Sequence, residues 1–191
     1  MRIYVRDLSD FVEDAVDTAK MRLGYVFNGG VDALTGFKND EWKRAHRSLE
    51  TSTVKIFIDL NGLKSVNEKF GHRAGDLFIQ TFAGRISSFC KKYGFTPIRL
   101  HGDEFLLVSR RPQSGWIKAL SELRRTSRNE CPFAYGTGIT TAEAEREMRA
   151  DKDEQYRLQG VDRRTDSRRC FDKIVDRFES FSFEDVKIKA S

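Results

Sequence analysis

The fold is decided by the stretch Pro97-Ile-Arg-Leu-His-Gly-Asp-Glu-Phe-Leu-Leu-Val108. It contains two apolar runs, 97–100 and 105–108, separated only by the polar residues His101 to Glu104. Two strands joined by so short a polar turn form an antiparallel hairpin. The sequence therefore places Asp103 and Glu104 at the tip of a hairpin.

Apolar periodicity on both sides of this hairpin predicts the other elements. Helices are expected over 9–23, 40–49, 63–70, 74–93, 114–125 and 141–159, and further strands over 54–59, 133–139 and 183–188. Mixed strands and helices in this order predict an α/β (α+β) fold, in which helices surround one sheet.

Composition narrows the class of protein. A length of 191 residues fits one domain with a short extension, and 39% hydrophobic residues are enough to form a core. The formal net charge of +5 suits an anionic ligand such as a nucleotide or nucleic acid, but it equally suits a solvated basic surface. Direct nucleic-acid binding has only the basic C-terminal tail in its favour, so it is not expected.

Cysteine usage and hydropathy bear on the compartment. Cys90, Cys131 and Cys170 are widely spaced and contain no CxxC pair, which argues against a disulfide scaffold and a zinc ribbon. No apolar run approaches the roughly 20 residues of a membrane span, and no signal-peptide core follows Met1. We therefore expect a cytoplasmic protein with free thiols and no membrane partner.

Carboxylates at strand ends form the candidate chemical centre. Asp59 closes the apolar strand at 54–59, and Asp103 and Glu104 lie in the hairpin turn. Burying carboxylates is costly unless a cation offsets their desolvation. Mg²⁺ takes such oxygen ligands, and two ions could clamp a nucleotide. Acidic residues are also common in turns, so the residues alone leave both interpretations open.

Three motifs occur in one order between residues 31 and 139. They are Asp32-Ala-Leu-Thr-Gly-Phe-Lys-Asn39, Asp59-Leu-Asn-Gly-Leu-Lys-Ser-Val-Asn-Glu-Lys-Phe-Gly-His-Arg-Ala-Gly-Asp76, and the hairpin with its His101-Gly-Asp-Glu-Phe105 turn. Together they resemble the GGDEF domain (diguanylate cyclase) family, with the variant signature HGDEF. The resemblance implies a central, mostly antiparallel sheet surrounded by helices, similar to the nucleotidyl cyclase and polymerase palm fold. It also implies a domain over 28–165, after a helical extension over 1–27 and before a tail over 166–191 that is a candidate to complete the domain.

The resemblance also implies residue roles. The metal ligands for Mg²⁺ or Mn²⁺ would be Asp59, the Leu60 carbonyl, Asp103 and Glu104; the catalytic residues would be Asp103, Glu104 and Lys64; and the substrate-binding residues would be Asn67, Asp76, His101 and Arg163. Asp76 can accept from the N1–H and N2–H₂ donors of guanine, an edge that adenine lacks.

The sequence departs from the family pattern at two places. His101 replaces a glycine whose backbone approaches the substrate in the family. A histidine adopts positive φ there only with strain, and its added ring either clashes with the nucleotide or contacts it. The C-terminal motif, whose lysine and arginine hold the triphosphate in the family, has only a loose counterpart in residues 150–160, which leaves Arg157, Arg163 and Arg164 as candidates. The family's RxxD feedback site falls on Lys92-Tyr-Gly-Phe95, which lacks the pattern.

Two functions from different classes follow from the resemblance. In a diguanylate cyclase, the 3′-hydroxyl of one GTP attacks the α-phosphate of another and pyrophosphate leaves, so two copies must face each other as a transient homodimer. The alternative is a catalytically inactive GGDEF-like module that binds GTP or a protein partner.

Overall fold

The computed structural model describes residues 30–50 and 53–158. In chain order the elements are β1 (Lys38–Asn39), α1 (Asp40–Ala45), a 3₁₀ turn (Arg47–Glu50), β2 (Val54–Leu60), α2 (Leu63–Phe70), α3 (His72–Tyr93), β3 (Thr96–His101), β4 (Glu104–Ser109), α4 (Trp116–Ser127), β5 (Phe133–Gly138) and α5 (Thr141–Leu158). The predicted helix over 9–23 and the predicted strand over 183–188 lie outside the described residues.

The strands form one five-stranded sheet in the order β1-β3-β4-β2-β5. Only the short β1 runs parallel to its neighbour, so the predicted mostly antiparallel sheet is confirmed. The interior strand β2 is buried at six of its seven residues, because it has a strand on either side and helices on both faces.

Alternation along the strands divides the core between the two faces of the sheet. Ile56, Ile58 and Phe105 face α2, α3 and α4, where α3 contributes Phe78, Phe82, Ile86 and Phe89 at helical spacing. Phe57, Leu106 and Val108 face the opposite side, where Ala144 and Met148 of α5 and the partly buried Trp42 of α1 pack.

Close contact between β5 and α5 depends on glycine. A Cβ built on Gly136 would lie 2.2 Å from the Ala144 carbonyl oxygen and from the Met148 amide nitrogen, and one on Gly138 would lie 2.8 Å from the Ala144 nitrogen. The helix backbone therefore lies directly on the strand, at a separation that any side chain at these two positions would prevent.

The outer edge of β5 is satisfied by side chains of α5. The amides of Tyr135, Thr137 and Ile139 donate to Asp151 (3.1 Å), Glu147 (3.1 Å) and Glu143 (3.0 Å). Two residues along a strand advance about 6.6 Å and four along a helix about 6.0 Å, so the two series stay in step. We call these three hydrogen bonds the carboxylate ladder.

The helix predicted over 40–49 is shorter than expected. It ends at Ala45, because a ring nitrogen of His46 lies 2.7 Å from the Trp42 carbonyl that the next helical amide would use. The His46 amide bonds Lys43 instead, and the chain continues as the 3₁₀ turn. The other elements predicted within the described residues are confirmed, with ends that differ by one or two residues.

Cys90 and Cys131 are free thiols inside the core, as predicted, and burial raises the pKa of each to about 12. In the part of the chain that the structure describes, every helix is too short or too polar to cross a membrane.

Candidate functional site

Three acidic residues lie on adjoining segments, where β2 ends and the β3–β4 turn closes. Asp59 is the Cα partner of Glu104 on the adjacent antiparallel strand, and the Leu60 amide donates to the Asp103 carbonyl at 2.9 Å. Residues two apart on a strand point to the same face of a sheet. Asp59 lies two residues after Phe57, and Glu104 lies two residues before Leu106, so both carboxylates are on the face that packs against α5. The structure thus brings together Asp59, Leu60, Asp103 and Glu104.

Burial and neighbouring charge disfavour the charged forms of Asp103 and Glu104. Burial raises the pKa of Asp103, and the nearby charge of Asp59 raises it further. Burial also raises the pKa of Glu104, against the opposing effect of His101. A bound cation at this end of the sheet would relieve this repulsion.

Lys152 of α5 already supplies one positive charge. Its ammonium forms an ion pair with Asp59 Oδ1, and the two side chains are only 12% and 11% exposed. Asp59 itself is 8% exposed as a residue, so water screens this pair little. This contact joins residues 93 positions apart, so no local pattern in the sequence indicates it.

A polar network holds the same turn of α5 against the end of β2. Asn61 is buried, and its amide nitrogen donates to Gln155 Oε1 at 3.2 Å. Gln155 donates to Asp151 Oδ2 at 2.9 Å, and Arg124 donates to the other oxygen of Asp151 at 2.8 Å. Asp151 and Gln155 flank Lys152 in the helix, so these contacts fix its position opposite Asp59.

A separate set of hydrogen bonds from Arg99 fixes the hairpin turn. Arg99 of β3 donates to the Gly102 carbonyl at 2.8 and 3.0 Å and to both oxygens of Asp32 at 3.1 Å. Burial opposes the charge of Asp32, but hydrogen bonds from Thr35 and Arg99 outweigh it and lower the pKa of the carboxyl. The motif at 32–39 thereby anchors the turn that carries Asp103.

The strain expected at His101 is not present. Among residues 30–50 and 53–158 no residue other than glycine has positive φ, and the turn places the left-handed conformation at Gly102 (φ 52°). His101 ends β3 with extended backbone and a side chain 76% exposed, and its Nε2 lies 3.2 Å from Glu104 Oε2. The imidazole therefore lies beside Glu104 without distorting the turn.

The two residues assigned to guanine lie on adjoining helices. Asn67 of α2 packs against Gly75 of α3, where a Cβ would fall 1.9 Å from Asn67 Oδ1, and Asp76 is the next residue along α3 and is exposed. Asn67 Oδ1 is buried without a hydrogen-bond partner in the described part of the chain. Lys64 is exposed on the first turn of α2 and lies 3.8 Å from Glu68.

Arg163 lies outside the described residues. Asp32, Arg99 and Lys152 were not predicted as site residues, although Asp32 and Arg99 stand in the quoted motifs and Lys152 stands in the stretch 150–160. Their partners are distant in the chain, so no local pattern indicates them.

The donor chemistry fits a divalent metal. Carboxylate oxygens at two strand ends are the hard ligands that Mg²⁺ prefers, and Mg²⁺ commonly uses one or two carboxylates together with substrate phosphates. No three His, Cys, Asp or Glu side chains within 30–50 and 53–158 converge closely enough to hold a metal by themselves.

Comparisons with known proteins point to one family. The family model described as "Diguanylate cyclase, GGDEF domain" matches residues 31–144. Diguanylate cyclase DgcP of Escherichia coli (strain K12) is 38% identical over 102 residues, which are 48% of this chain and 29% of that protein. Signaling protein YkoW of Bacillus subtilis (strain 168) is 38% identical over 85 residues, which are 40% of this chain and 10% of that protein.

Solved structures support the fold. The GGDEF domain of FimX from Pseudomonas aeruginosa superposes with a TM-score of 0.57 at 15% identity, covering 65% of this chain and 94% of that one. At this identity the likeness shows the architecture alone. The curated relatives are much longer than the segment they share with this chain.

Proposed function

This chain belongs to the GGDEF family, and from that premise we propose that it is a diguanylate cyclase that condenses two GTP molecules into cyclic di-GMP. The observation that carries the proposal is the meeting of Asp59, Asp103 and Glu104 at adjoining strand ends, held by the β2–β4 register and the Leu60–Asp103 hydrogen bond.

In this proposal the carboxylates hold the ions and the helices hold the base. Asp59, Asp103, Glu104 and the Leu60 carbonyl would bind Mg²⁺ or Mn²⁺. When bound, such an ion neutralises phosphate charge and lowers the pKa of a coordinated hydroxyl. Asp76 is an exposed carboxylate, able to accept both donors of the guanine edge.

The remaining residues keep this geometry rigid. Arg99 ties the hairpin turn to Asp32, so the Asp103 backbone stays in place when substrate arrives. Lys64 is exposed on the first turn of α2, after β2, and the family match assigns it to the phosphates of bound GTP. Since phosphoryl transfer depends mainly on positioning and electrostatics, a rigid acidic turn is the principal contribution of this chain.

The proposal is tested with the purified chain, radiolabelled GTP and Mg²⁺, with products separated by chromatography. We expect cyclic di-GMP and pyrophosphate from the natural sequence and no product from Asp103→Ala, while circular dichroism shows that both proteins are folded. Full activity in Asp103→Ala would remove the carboxylate from the mechanism. A product other than cyclic di-GMP would refute the assigned reaction.

The second candidate is an inactive GGDEF-like module that binds GTP or a protein partner. Two observations favour it: Asp59 is paired with Lys152, and the His101 ring stands 3.2 Å from Glu104. GTP binding by calorimetry with no product formed would identify this function. We expect His101→Gly to raise turnover, or to create it if the natural sequence is inert, because the ring occupies space beside the nucleotide. A loss of turnover with folding intact by circular dichroism would show instead that the ring contacts the nucleotide and that the chain is a variant enzyme.

A further inference from the structure

The ion pair between Lys152 and Asp59 lies at the centre of the carboxylate cluster. Asp59 has two roles to fill: it is matched to a metal ligand by the family motif, and in the structure it is the partner of an ammonium group. Both groups are mostly buried, at 11% and 12% exposure of the side chains. An ammonium and a divalent ion compete for the same carboxylate oxygens, because each needs them for charge compensation.

Contacts on both sides of Lys152 in α5 fix the position of its backbone opposite Asp59. Asp151, one residue before it, accepts from the Tyr135 amide and from Arg124. Gln155, one turn later, accepts from the buried Asn61 at the end of β2. These contacts hold the helix so that Lys152 faces Asp59.

We propose that Lys152 is an internal counter-ion that competes with the divalent metal for Asp59, so that metal enters the site only by displacing its ammonium. The inference rests on the proposed metal-dependent function and adds to it a residue that sets metal affinity. Lys152 affects metal binding through its ion pair with Asp59. In the nucleotide-free protein it satisfies the carboxylate, which keeps metal affinity low until phosphates add their own ligands.

The first test measures Mn²⁺ binding to the full chain without nucleotide, from the loss of the free Mn²⁺ signal in electron paramagnetic resonance. Lys152→Gln removes the competing charge and should bind Mn²⁺ about tenfold more tightly or better, a change of about 1.4 kcal/mol. Lys152→Arg keeps a cation beside Asp59 and should stay within about threefold of the natural sequence, since the competing charge remains.

The matched control is Lys91→Gln, which removes one positive charge from the exposed last turn of α3. This turn precedes β3, so it lies at the end of the sheet opposite to His101. At ordinary ionic strength a charge so far away is screened, and Mn²⁺ affinity should change by less than about twofold.

A second test uses the natural sequence and does not depend on the folding of a variant. Amine acylation is followed by mass spectrometry with and without Mg²⁺ and GTP. We expect acylation of Lys152 to accelerate about tenfold or more on addition of metal and nucleotide, because an amine released from Asp59 becomes accessible, a change of about 1.4 kcal/mol in protection. Lys91 in the same sample should react at an unchanged rate.

The outcomes separate this inference from the proposed function. Equal Mn²⁺ affinity in Lys152→Gln and the natural sequence, or no change in Lys152 acylation, would overturn the competition and leave the cyclase proposal standing. Absence of Mn²⁺ binding to every variant even with GTP would overturn both. Tighter Mn²⁺ binding in Lys152→Gln, but not in Lys152→Arg or Lys91→Gln, supports the proposal.

Discussion

Substitution of Gly136 by alanine tests the contact between β5 and α5. The new Cβ would lie 2.2 Å from the Ala144 carbonyl oxygen and the Met148 amide nitrogen, whereas ordinary contact begins at 3.4 Å. Both atoms belong to the helix backbone, so α5 must withdraw by roughly 1 Å or the strand must bend, since no side chain can rotate aside.

The cost follows from what this shift breaks. Overpacking costs about 1–3 kcal/mol. Stretching the carboxylate ladder weakens hydrogen bonds that are each worth about 1.5–3 kcal/mol when one partner is charged. We expect Gly136→Ala to lower the free energy of unfolding by about 3–5 kcal/mol, a large share of the 5–15 kcal/mol of a typical domain.

Urea denaturation followed by circular dichroism measures this change. The control is Gly84→Ala on α3, where a Cβ meets nothing within 4 Å. Alanine there should stabilise the protein by about 0.5–1 kcal/mol, because glycine is a poor helix former. If Gly136→Ala unfolds within about 0.5 kcal/mol of the natural sequence, the scale of an ordinary surface substitution, the direct backbone packing of α5 on β5 is refuted.

Three further substitutions address the site. Asp103→Asn should abolish turnover and should raise the melting temperature at pH 7 in metal-free buffer. Burial and the charge of Asp59 raise the pKa of Asp103, so the charged form of Asp103 destabilises the fold above that pKa. An unchanged or lower melting temperature would contradict this account. Asp76→Ala should weaken GTP more than ATP in calorimetry, and equal losses would remove the base-reading role. Asp32→Asn should cost about 1–2 kcal/mol at pH 7 by breaking the contact with Arg99. The pKa of Asp32 is lowered in the folded state, so the charged carboxylate stabilises the fold fully above the ordinary pKa of 3.8, and this stabilisation is lost as the pH falls through the folded-state pKa. If Asp32→Asn lowers the free energy of unfolding equally at pH 2 and pH 7, this ion pair is excluded as the cause.

Local patterns predicted the elements of this fold well. The four-residue polar turn between two apolar runs indicated the β3–β4 hairpin, and the spacing of Phe78, Phe82, Ile86 and Phe89 indicated the long α3. The helix after Asn39 was predicted too long, because the His46 side chain takes a backbone carbonyl that propensity alone assigns to the helix.

Contacts between distant residues could not be predicted from the sequence. Arg99 bonds Asp32 across 67 positions, and Lys152 meets Asp59 across 93, so each depends on the finished packing of the sheet and its helices. The strain expected at His101 is absent, because the turn places its left-handed conformation at Gly102 and His101 still belongs to β3.

The carboxylate ladder also determines how copies of this domain can associate. A strand added to β5 would have to displace the three side chains that occupy its outward amides, and at the other edge β1 is only two residues long. The described sheet is therefore protected against edge-to-edge growth, the usual route to β-aggregation. In the proposed cyclase, two copies that bring nucleotides together would therefore have to meet through helix and loop surfaces, and such an encounter would break no backbone hydrogen bond of the sheet.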